Sequence, residues 1–215
     1  MTGLASAREQ VAAACRRLAA ERLVHGGAGN VSARAGDVVA VTPAGAALGS
    51  VAPEDIAVVD LDGRRLHGRP PTSELQLHLG VYRGHGAGAV AHCHAPFATA
   101  LSMVLDELPC VHYELANLGG AIRVAPYATF GSQALADGVL AALEGRAAAL
   151  MANHGAVVLG ADPAEAVERT ILLEWACEVY WRAAAVGAPR VLGPEAMKAA
   201  AAAFARQRSI VDMSG

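Results

Sequence analysis

The sequence predicts an α/β domain in which helices cover both faces of a mixed β-sheet. Segments with helical periodicity alternate along the chain with short apolar segments that are typical of strands. A D-G turn at Asp62 and Gly63 joins two of these strands as a hairpin, so the sheet is not purely parallel. No repeat, low-complexity linker or evident boundary divides the 215 residues, a length that suits one domain with a full core.

The first part of the chain is predicted to form a helix and then a series of strands. Apolar and charged residues interleave over about 6–24 as in an amphipathic helix, which the glycines of "HGGAGN" end. Strands follow in "NVSAR" and "DVVAVT", joined by the turn "AGD". After the loop "TPAGAALGS", a strand in "IAVVD" passes through the D-G turn into a returning strand, and a helix covers about 74–82.

The rest of the chain alternates strands with helices. "GAVAHCH" predicts a strand, "PFATALSMVL" predicts the helix after it, and "AIRVAPYA" is extended. "SQALADGVLAALEG" predicts a helix that Gly145 closes, and "AAALMANHGAVVLG" predicts two strands around the turn "NHG". Pro163 lies in the first turn of a long helix, and a final helix covers about 194–206.

Composition and charge exclude several classes of protein. Hydrophobic residues make up 54% of the chain, which excludes a disordered protein, and a net charge of −3 argues against nucleic acid as the main partner. No run of 18 apolar residues is present to span a membrane, and the charged N-terminal segment is unlike a signal peptide. The four cysteines are scattered without a CxxC pair, so a reducing, cytoplasmic location is expected.

Two histidines, His92 and His94, lie two residues apart in the predicted strand "GAVAHCH". They would point to the same face of the sheet, while Cys93 between them packs on the other. The spacing fits two ligands of one metal ion, and it fits equally well two hydrogen-bonded histidines near a strand end. His154, in the turn "NHG", is a candidate third ligand, although a lone turn histidine is usually structural. Three or four protein ligands and one open position would make a catalytic zinc site.

Glu74 is the fourth candidate ligand. Ser73 and Gln76 match a capping box, which predicts that the helix begins at Glu74. An acid in the first helical turn also has a purely structural explanation, since it interacts favourably with the helix dipole. The other five histidines lie in segments that indicate no functional role: His25, His67, His78, His85 and His112.

Three short polar segments offer backbone N–H groups beside small side chains: "GAGN" at 27–30, "TPAG" at 42–45 and "TSE" at 72–74. The first is neither a Walker loop nor a dinucleotide fingerprint, because a helix precedes it and a strand follows. A helix end and a turn explain it equally well. The third opens a helix, where anions bind readily. Together the three segments are candidates for a phosphate site beside the metal.

Seven motifs together resemble the class II aldolase/epimerase family over about residues 5–190. They occur in the family's order and spacing: "GGAGNVS", "TPAG", "TSE", "AHCHAPFATAL", "HYELANLGG", "APYATFGS" and "ANHGAVVLG". The resemblance implies a single domain over 1–215 that forms a three-layer α-β-α sandwich. It also implies a homotetramer with active sites between subunits. The metal would be zinc, with other divalent ions also compatible with the donors.

The resemblance assigns roles to individual residues. His92, His94 and His154 would bind zinc, with Glu74 as a displaceable ligand that also acts as the catalytic base. Tyr113, in "HYELA", would reach into the neighbouring subunit's site as an acid/base. The substrate phosphate would be held by Asn30, Gly45, Thr72 and Ser73.

The reaction implied is that of a class II, metal-dependent aldehyde-lyase in carbohydrate metabolism. It would cleave a ketose 1-phosphate of the L-fuculose 1-phosphate type to dihydroxyacetone phosphate and a short aldehyde, through a metal-stabilised enediolate. Glu74 favours an aldolase, because epimerases of the family usually carry aspartate there. The lone lysine, Lys198, lies outside every motif, which argues against Schiff-base chemistry.

Two departures from the family pattern affect substrate recognition. Ala44 replaces the hydroxyl residue of "TP[ST]G", and the tail "AFARQRSIVDMSG" has no tyrosine after Tyr180. An epimerase, a dehydratase or a decarboxylase of the same family would share the stabilised enolate, so motif spacing does not separate these reactions from aldol cleavage. A non-catalytic structural module is a further alternative, but such modules usually lose the metal ligands, and all four candidates are present here.

Overall fold

Nine strands form one mixed sheet with helices on both faces in the computed structural model, which describes residues 2–214. The strand order is β4-β3-β2-β1-β5-β9-β8-β7-β6. Neighbouring strands are antiparallel except β7 and β8, which are parallel. The strands are β1 Asn30–Ala35, β2 Val38–Val41, β3 Ala57–Asp60, β4 Arg65–His67, β5 Ala89–Cys93, β6 Glu107–Leu108, β7 Ile122–Ala125, β8 Ala148–Met151 and β9 Gly155–Gly160.

All six predicted helices are present in the described residues. They are α1 Thr2–Ala20, α2 Leu75–Gly84, α3 Pro96–Ser102, α4 Gln133–Ala142, α5 Pro163–Val186 and α6 Pro194–Ser214. The last helix runs further than expected from the sequence. Four short elements of the described residues were not predicted: the two-residue strand β6 and 3-10 helices over Leu48–Ser50, Pro53–Asp55 and Tyr113–Leu118.

The sheet separates two apolar cores, as expected for three layers. One core joins α1, α3 and α5 to the face that carries Ala91 and Cys93 of β5. The other joins α2 and α4 to the opposite face, which carries Val90. Because side chains alternate along a strand, His92 points to the same face as Val90, toward α2. Cys93 packs in the first core as predicted.

The capping box predicted at Ser73 is not formed. Glu74 is the N-cap residue of α2, and no side chain caps the helix there. Instead the Thr72 hydroxyl accepts the Glu74 N–H at 3.3 Å, and the Thr72 carbonyl accepts the Leu75 N–H. Thr72 thus tightens the entry to the helix, which leaves the Glu74 side chain free to turn toward the sheet.

Within the described residues, no helix combines the length and the apolar character needed to cross a membrane.

Candidate metal centre and active site

Three histidine side chains meet at one end of the sheet. His92 is the fourth residue of β5, and His94 directly follows the last residue of that strand. His154 lies in the turn between β8 and β9, where Asn153 takes a left-handed conformation with φ 57°. Because β9 pairs directly with β5, this turn lies beside the end of β5. Strand pairing thus brings together the three histidines that the sequence singled out.

The three rings form a nearly equilateral triangle. Their centroids are 4.9, 4.9 and 5.0 Å apart, and their planes are inclined by 65–89°. One candidate ligand atom from each ring lies within 4.8 Å of the others. The Nε2 atoms of His92 and His94 are 3.1 Å apart. Ligand atoms in a tetrahedral site with bonds of about 2.0–2.1 Å are separated by roughly 3.3 Å, so the arrangement is close to a metal-binding one.

Hydrogen bonding and burial keep these nitrogens available for a cation. His92 Nδ1 lies 3.0 Å from the Ala156 carbonyl oxygen, which only accepts, so Nδ1 carries a proton and Nε2 is the nitrogen that faces the other rings. Burial and the neighbouring rings of His92 and His154 lower the pKa of His94 to about 4. Burial also lowers the pKa of His154. His94 and His154 are therefore neutral at neutral pH, the state that a metal ligand requires.

Glu74 brings a buried carboxylate to the same place. Its Oε2 lies 3.1 Å from His92 Nε2, and its Oε1 lies 3.6 Å from His154 Nε2. Burial raises the pKa of this carboxyl, but contacts with His92, Asn30 and His154 outweigh burial and hold the pKa below its ordinary value. The side chain is therefore charged although the residue is only 6% exposed.

A divalent cation fits this set of donors. Glu74 Oε1 is buried and has no hydrogen-bond partner among the described residues, and a buried oxygen of a charged group without a hydrogen bond is costly. A cation held by the three imidazoles would compensate that charge. Three imidazole nitrogens and one carboxylate are a donor set typical of zinc, and a carboxylate that can be displaced leaves a position for substrate.

A pocket of about 340 Å³ opens beside the histidines. Glu74, His94 and His154 line it on one side. All four residues expected to hold a phosphate line it as well, namely Asn30, Gly45, Thr72 and Ser73. Gly45 has φ 67°, a conformation that favours glycine. The three polar segments therefore meet beside the candidate metal ligands.

A family model matches residues 9–181, a span that includes all nine strands and every candidate metal ligand. Its description is "Class II Aldolase and Adducin N-terminal domain". The chain belongs to this class II aldolase family.

Similar proteins named as aldolases cover most of the chain. A 5-methylthioribulose-1-phosphate/5-deoxyribulose-1-phosphate aldolase of Rhodospirillum rubrum is 37% identical, over 86% of this chain and 85% of its own. A 5-deoxy-D-ribulose 1-phosphate aldolase of Bacillus thuringiensis serovar kurstaki is 33% identical, over 92% of this chain and 94% of the relative. A solved structure of an L-fuculose 1-phosphate aldolase superposes with a TM-score of 0.90 at 32% identity. The match covers 93% of this chain and 96% of the solved one.

These similarities confirm the expected family, the α-β-α fold and the class of enzyme. Class II aldolases are lyases, and the family is one that uses a divalent metal, for which the three histidines of this chain are suitably placed.

Tyr113 is not among the described residues that line the pocket of this class II aldolase. It begins the 3-10 helix Tyr113–Leu118, and half of the residue is exposed. Its ring stacks on Phe204 of α6, with the ring centroids 5.9 Å apart. The ring centroid of His112 lies 4.5 Å from that of Tyr113. Within one subunit the ring is therefore held at the surface.

The structure adds residues to the site that the sequence pattern did not indicate. His78 is fully buried on α2 and bonds to both Asn30 and Ser32. Its spacing of four residues from Glu74, on one face of a helix, is the signal that would have found it. Tyr127 and Phe130 also line the pocket, with 67% and 68% of each residue exposed. Both residues belong to "APYATFGS", one of the seven motifs of the resemblance, whose sequence alone does not indicate which of its side chains face the pocket.

Proposed function

We propose that this class II aldolase cleaves a ketose 1-phosphate between C3 and C4, giving dihydroxyacetone phosphate and a short aldehyde. The observation that carries the proposal is the meeting of three imidazoles and a buried carboxylate beside a pocket lined by three polar segments. Among relatives of the chain, aldolases named for ketose 1-phosphates support the substrate class.

The proposed cofactor is zinc, held by His92, His94 and His154. When bound, the ion supplies Lewis-acid stabilisation of the negative charge that develops on the substrate's oxygens. Glu74 would be a further, displaceable ligand, since its carboxylate lies beside His92 and His154.

Glu74 is proposed to transfer the proton at C3. Its Oε2 accepts a hydrogen bond from the Asn30 amide at 2.9 Å, whereas Oε1 has no hydrogen-bond partner. Oε1 is therefore the oxygen free to exchange a proton with the substrate. In the cleavage direction Glu74 protonates the carbon that becomes the hydroxymethyl carbon of dihydroxyacetone phosphate, and in the synthetic direction it removes that proton.

The substrate phosphate is proposed to bind between the three polar segments. Backbone N–H groups near Gly45 and the hydroxyls of Thr72 and Ser73 are donors that suit a phosphate. Asn30 still has a second amino hydrogen for the same anion. Ala44 offers no hydroxyl, so this side of the pocket relies more on backbone donors.

The aldehyde portion of the substrate is proposed to be small and apolar at its end. Tyr127, Ala128 and Phe130 line the pocket and present little hydrogen-bonding capacity apart from the tyrosine hydroxyl. Relatives named for 5-deoxyribulose 1-phosphate and 5-methylthioribulose 1-phosphate agree with this preference. We therefore propose these two ketoses, with L-fuculose 1-phosphate, as the first substrates to test.

Tyr113 is proposed to act in a neighbouring subunit of a homotetramer. Its exposed ring lies outside its own pocket and is braced by Phe204, a placement that suits contact with another subunit. There it would remove the proton from the C4 hydroxyl during cleavage.

Four free cysteines, three of them buried, support the proposed reducing cytoplasmic location.

Product analysis with purified, zinc-loaded enzyme tests this proposal. The enzyme is incubated with the three ketose 1-phosphates, and dihydroxyacetone phosphate is measured by a coupled reduction while the aldehyde is identified by mass. Equal amounts of the two fragments are expected. A phosphorylated product with an intact carbon skeleton would instead indicate epimerisation or dehydration, and release of carbon dioxide would indicate decarboxylation.

A further inference from the structure

A continuous chain of hydrogen bonds runs from Glu74 into the space between α2 and the sheet. Asn30 Nδ2 donates to Glu74 Oε2 at 2.9 Å, and Asn30 Oδ1 contacts His78 Nε2. The other ring nitrogen of His78, Nδ1, lies 2.7 Å from Ser32 Oγ. Ser32 Oγ in turn lies 2.6 Å from the Tyr82 hydroxyl. All five residues are buried.

The periodicities of one helix and one strand bring the side chains of this hydrogen-bond series together. Glu74, His78 and Tyr82 are spaced by four residues and share one face of the α2 segment. Asn30 and Ser32 are two apart on β1 and point to the same face of the sheet. The five side chains thus form a polar stripe in an interface that is otherwise packed from leucine, valine and alanine. Because apolar side chains would stabilise such an interface at least as well, the stripe points to a role at the site.

A donor and an acceptor can be assigned to every hydrogen bond from Glu74 to Tyr82. A carboxylate only accepts, so Asn30 must turn its amino group to Glu74 and its carbonyl to His78. His78 Nε2 therefore carries a proton and donates it to that carbonyl. Burial, with Glu74 opposing and His92 assisting, lowers the pKa of His78 to about 3, so the ring is neutral and Nδ1 accepts from Ser32. Tyr82 then donates to Ser32.

We propose that His78 is a positioning residue, whose Nε2–H locks the Asn30 amide so that it holds Glu74 Oε2 and leaves Oε1 for proton transfer. The proposal rests on the proposed aldolase function. His78 does not line the pocket among the described residues, so it acts through Asn30 and not on the substrate. Without His78, Asn30 Oδ1 loses the donor that holds the amide in place, so the amide can shift away from Glu74 Oε2.

Two substitutions at His78 separate positioning from simple packing. The amide nitrogen of a glutamine reaches roughly where Nε2 lies in histidine, whereas that of an asparagine reaches roughly where Nδ1 lies. His78→Gln therefore keeps a donor for Asn30 and loses the contact with Ser32, and His78→Asn does the reverse. Both are polar, but asparagine is one methylene smaller than glutamine and leaves the larger packing defect in this buried site, so the thermal stability of each variant is measured as well. His85→Asn is the control, because His85 lies at the end of the same helix and takes no part in this series of hydrogen bonds.

The variants are compared by zinc affinity, measured by competition with a chromogenic chelator, and by steady-state kinetics on a ketose 1-phosphate. For His78→Asn we expect kcat to fall about 10–100-fold and zinc affinity about tenfold, as is usual for partners that orient metal ligands, with KM changed less than about threefold. His78→Gln should stay within about threefold of wild type. Equal impairment of the two variants at equal thermal stability would overturn the proposal, as would wild-type behaviour of His78→Asn.

A measurement on the wild-type protein keeps the proposal testable if either variant fails to fold. Nitrogen-15 NMR of labelled imidazoles distinguishes the tautomers of His78, and the neutral Nε2–H tautomer is expected. A neutral Nδ1–H tautomer, which has no proton on Nε2, would overturn the proposal. Wild-type protein that shows the expected tautomer but neither binds zinc nor cleaves a ketose phosphate would refute the aldolase function and leave the hydrogen-bond chain intact.

Discussion

Asn30 and His92 are direct partners across the antiparallel pair β1 and β5. Asn30 lines the pocket and its amide holds Glu74, while Glu74 also lies 3.1 Å from His92 Nε2. One strand register thus fixes the spacing between the side of the pocket proposed to bind phosphate and the candidate metal ligands. A slip of one residue would turn one of these side chains to the opposite face and separate the two halves of the site.

Removal of His92 should abolish tight zinc binding. In His92→Ala one of three imidazole ligands is lost, and we expect zinc affinity to fall by more than the roughly 10–100-fold typical of losing an outer partner. Zinc content after dialysis is measured by elemental analysis, with aldol cleavage assayed in parallel. His67→Ala, an exposed histidine on β4, is the matched control. Full zinc occupancy and normal activity in His92→Ala would remove His92 from the metal site.

Glu74→Gln should separate metal binding from turnover. Glutamine preserves the size of the side chain and can still accept the hydrogen bond from Asn30, but it cannot take up a proton. We expect zinc to remain largely bound while kcat falls about 10²–10⁴-fold, the usual contribution of a positioned base. Glu54→Gln, at an exposed position, controls for loss of a surface charge. Normal turnover in Glu74→Gln would refute the role of Glu74 as base.

The fold and the cluster of candidate metal ligands were predictable because they rest on local patterns. The alternation of helices and strands identified all six helices and eight of the nine strands among the described residues. The spacing of His92 and His94 identified their common face, since side chains in a strand repeat every two residues. The two-residue strand β6 escaped prediction because two residues carry no periodicity.

The surroundings of the ligands were not predictable, because they depend on contacts between distant segments. His78 has no distinguishing feature in the sequence, because its partners Asn30 and Ser32 lie on β1, more than 40 residues earlier in the chain. The capping box at Ser73 failed for a similar reason. Thr72 instead accepts the N–H groups of Glu74 and Leu75 ahead of the helix, and the Glu74 side chain turns toward His92 of β5 and His154 of the β8–β9 turn.

Zinc should stabilise the folded protein. A ligand that binds only the native state at 100 times its Kd contributes about 2.7 kcal/mol, which corresponds to a rise in Tm of roughly 5–11 °C for a chain of this size. Differential scanning calorimetry of the chelator-treated protein, with and without added zinc, measures this rise. Magnesium serves as the control ion, because it prefers oxygen ligands. An unchanged Tm with zinc would contradict a preformed zinc site.

Tyr113→Phe should lower kcat without loss of zinc. The phenylalanine keeps the stacking on Phe204 and removes only the hydroxyl, so we expect kcat to fall about 10²–10⁴-fold with an unchanged Tm. Tyr180→Phe on α5 is the control for loss of a phenol elsewhere. Wild-type kcat in Tyr113→Phe would exclude the hydroxyl from proton transfer.

Mixed oligomers decide whether Tyr113 acts in the neighbouring subunit. His92→Ala and Tyr113→Phe subunits are each expected to be nearly inactive alone. If the site lies between subunits, co-refolded mixtures regain activity, because a Tyr113→Phe subunit keeps its metal ligands and receives an intact tyrosine from a His92→Ala neighbour. If Tyr113 acts within its own subunit, no such site exists in any mixture and activity stays at the level of the separate variants. Light scattering of the same samples shows whether the subunits associate, so a monomer would contradict the trans arrangement directly.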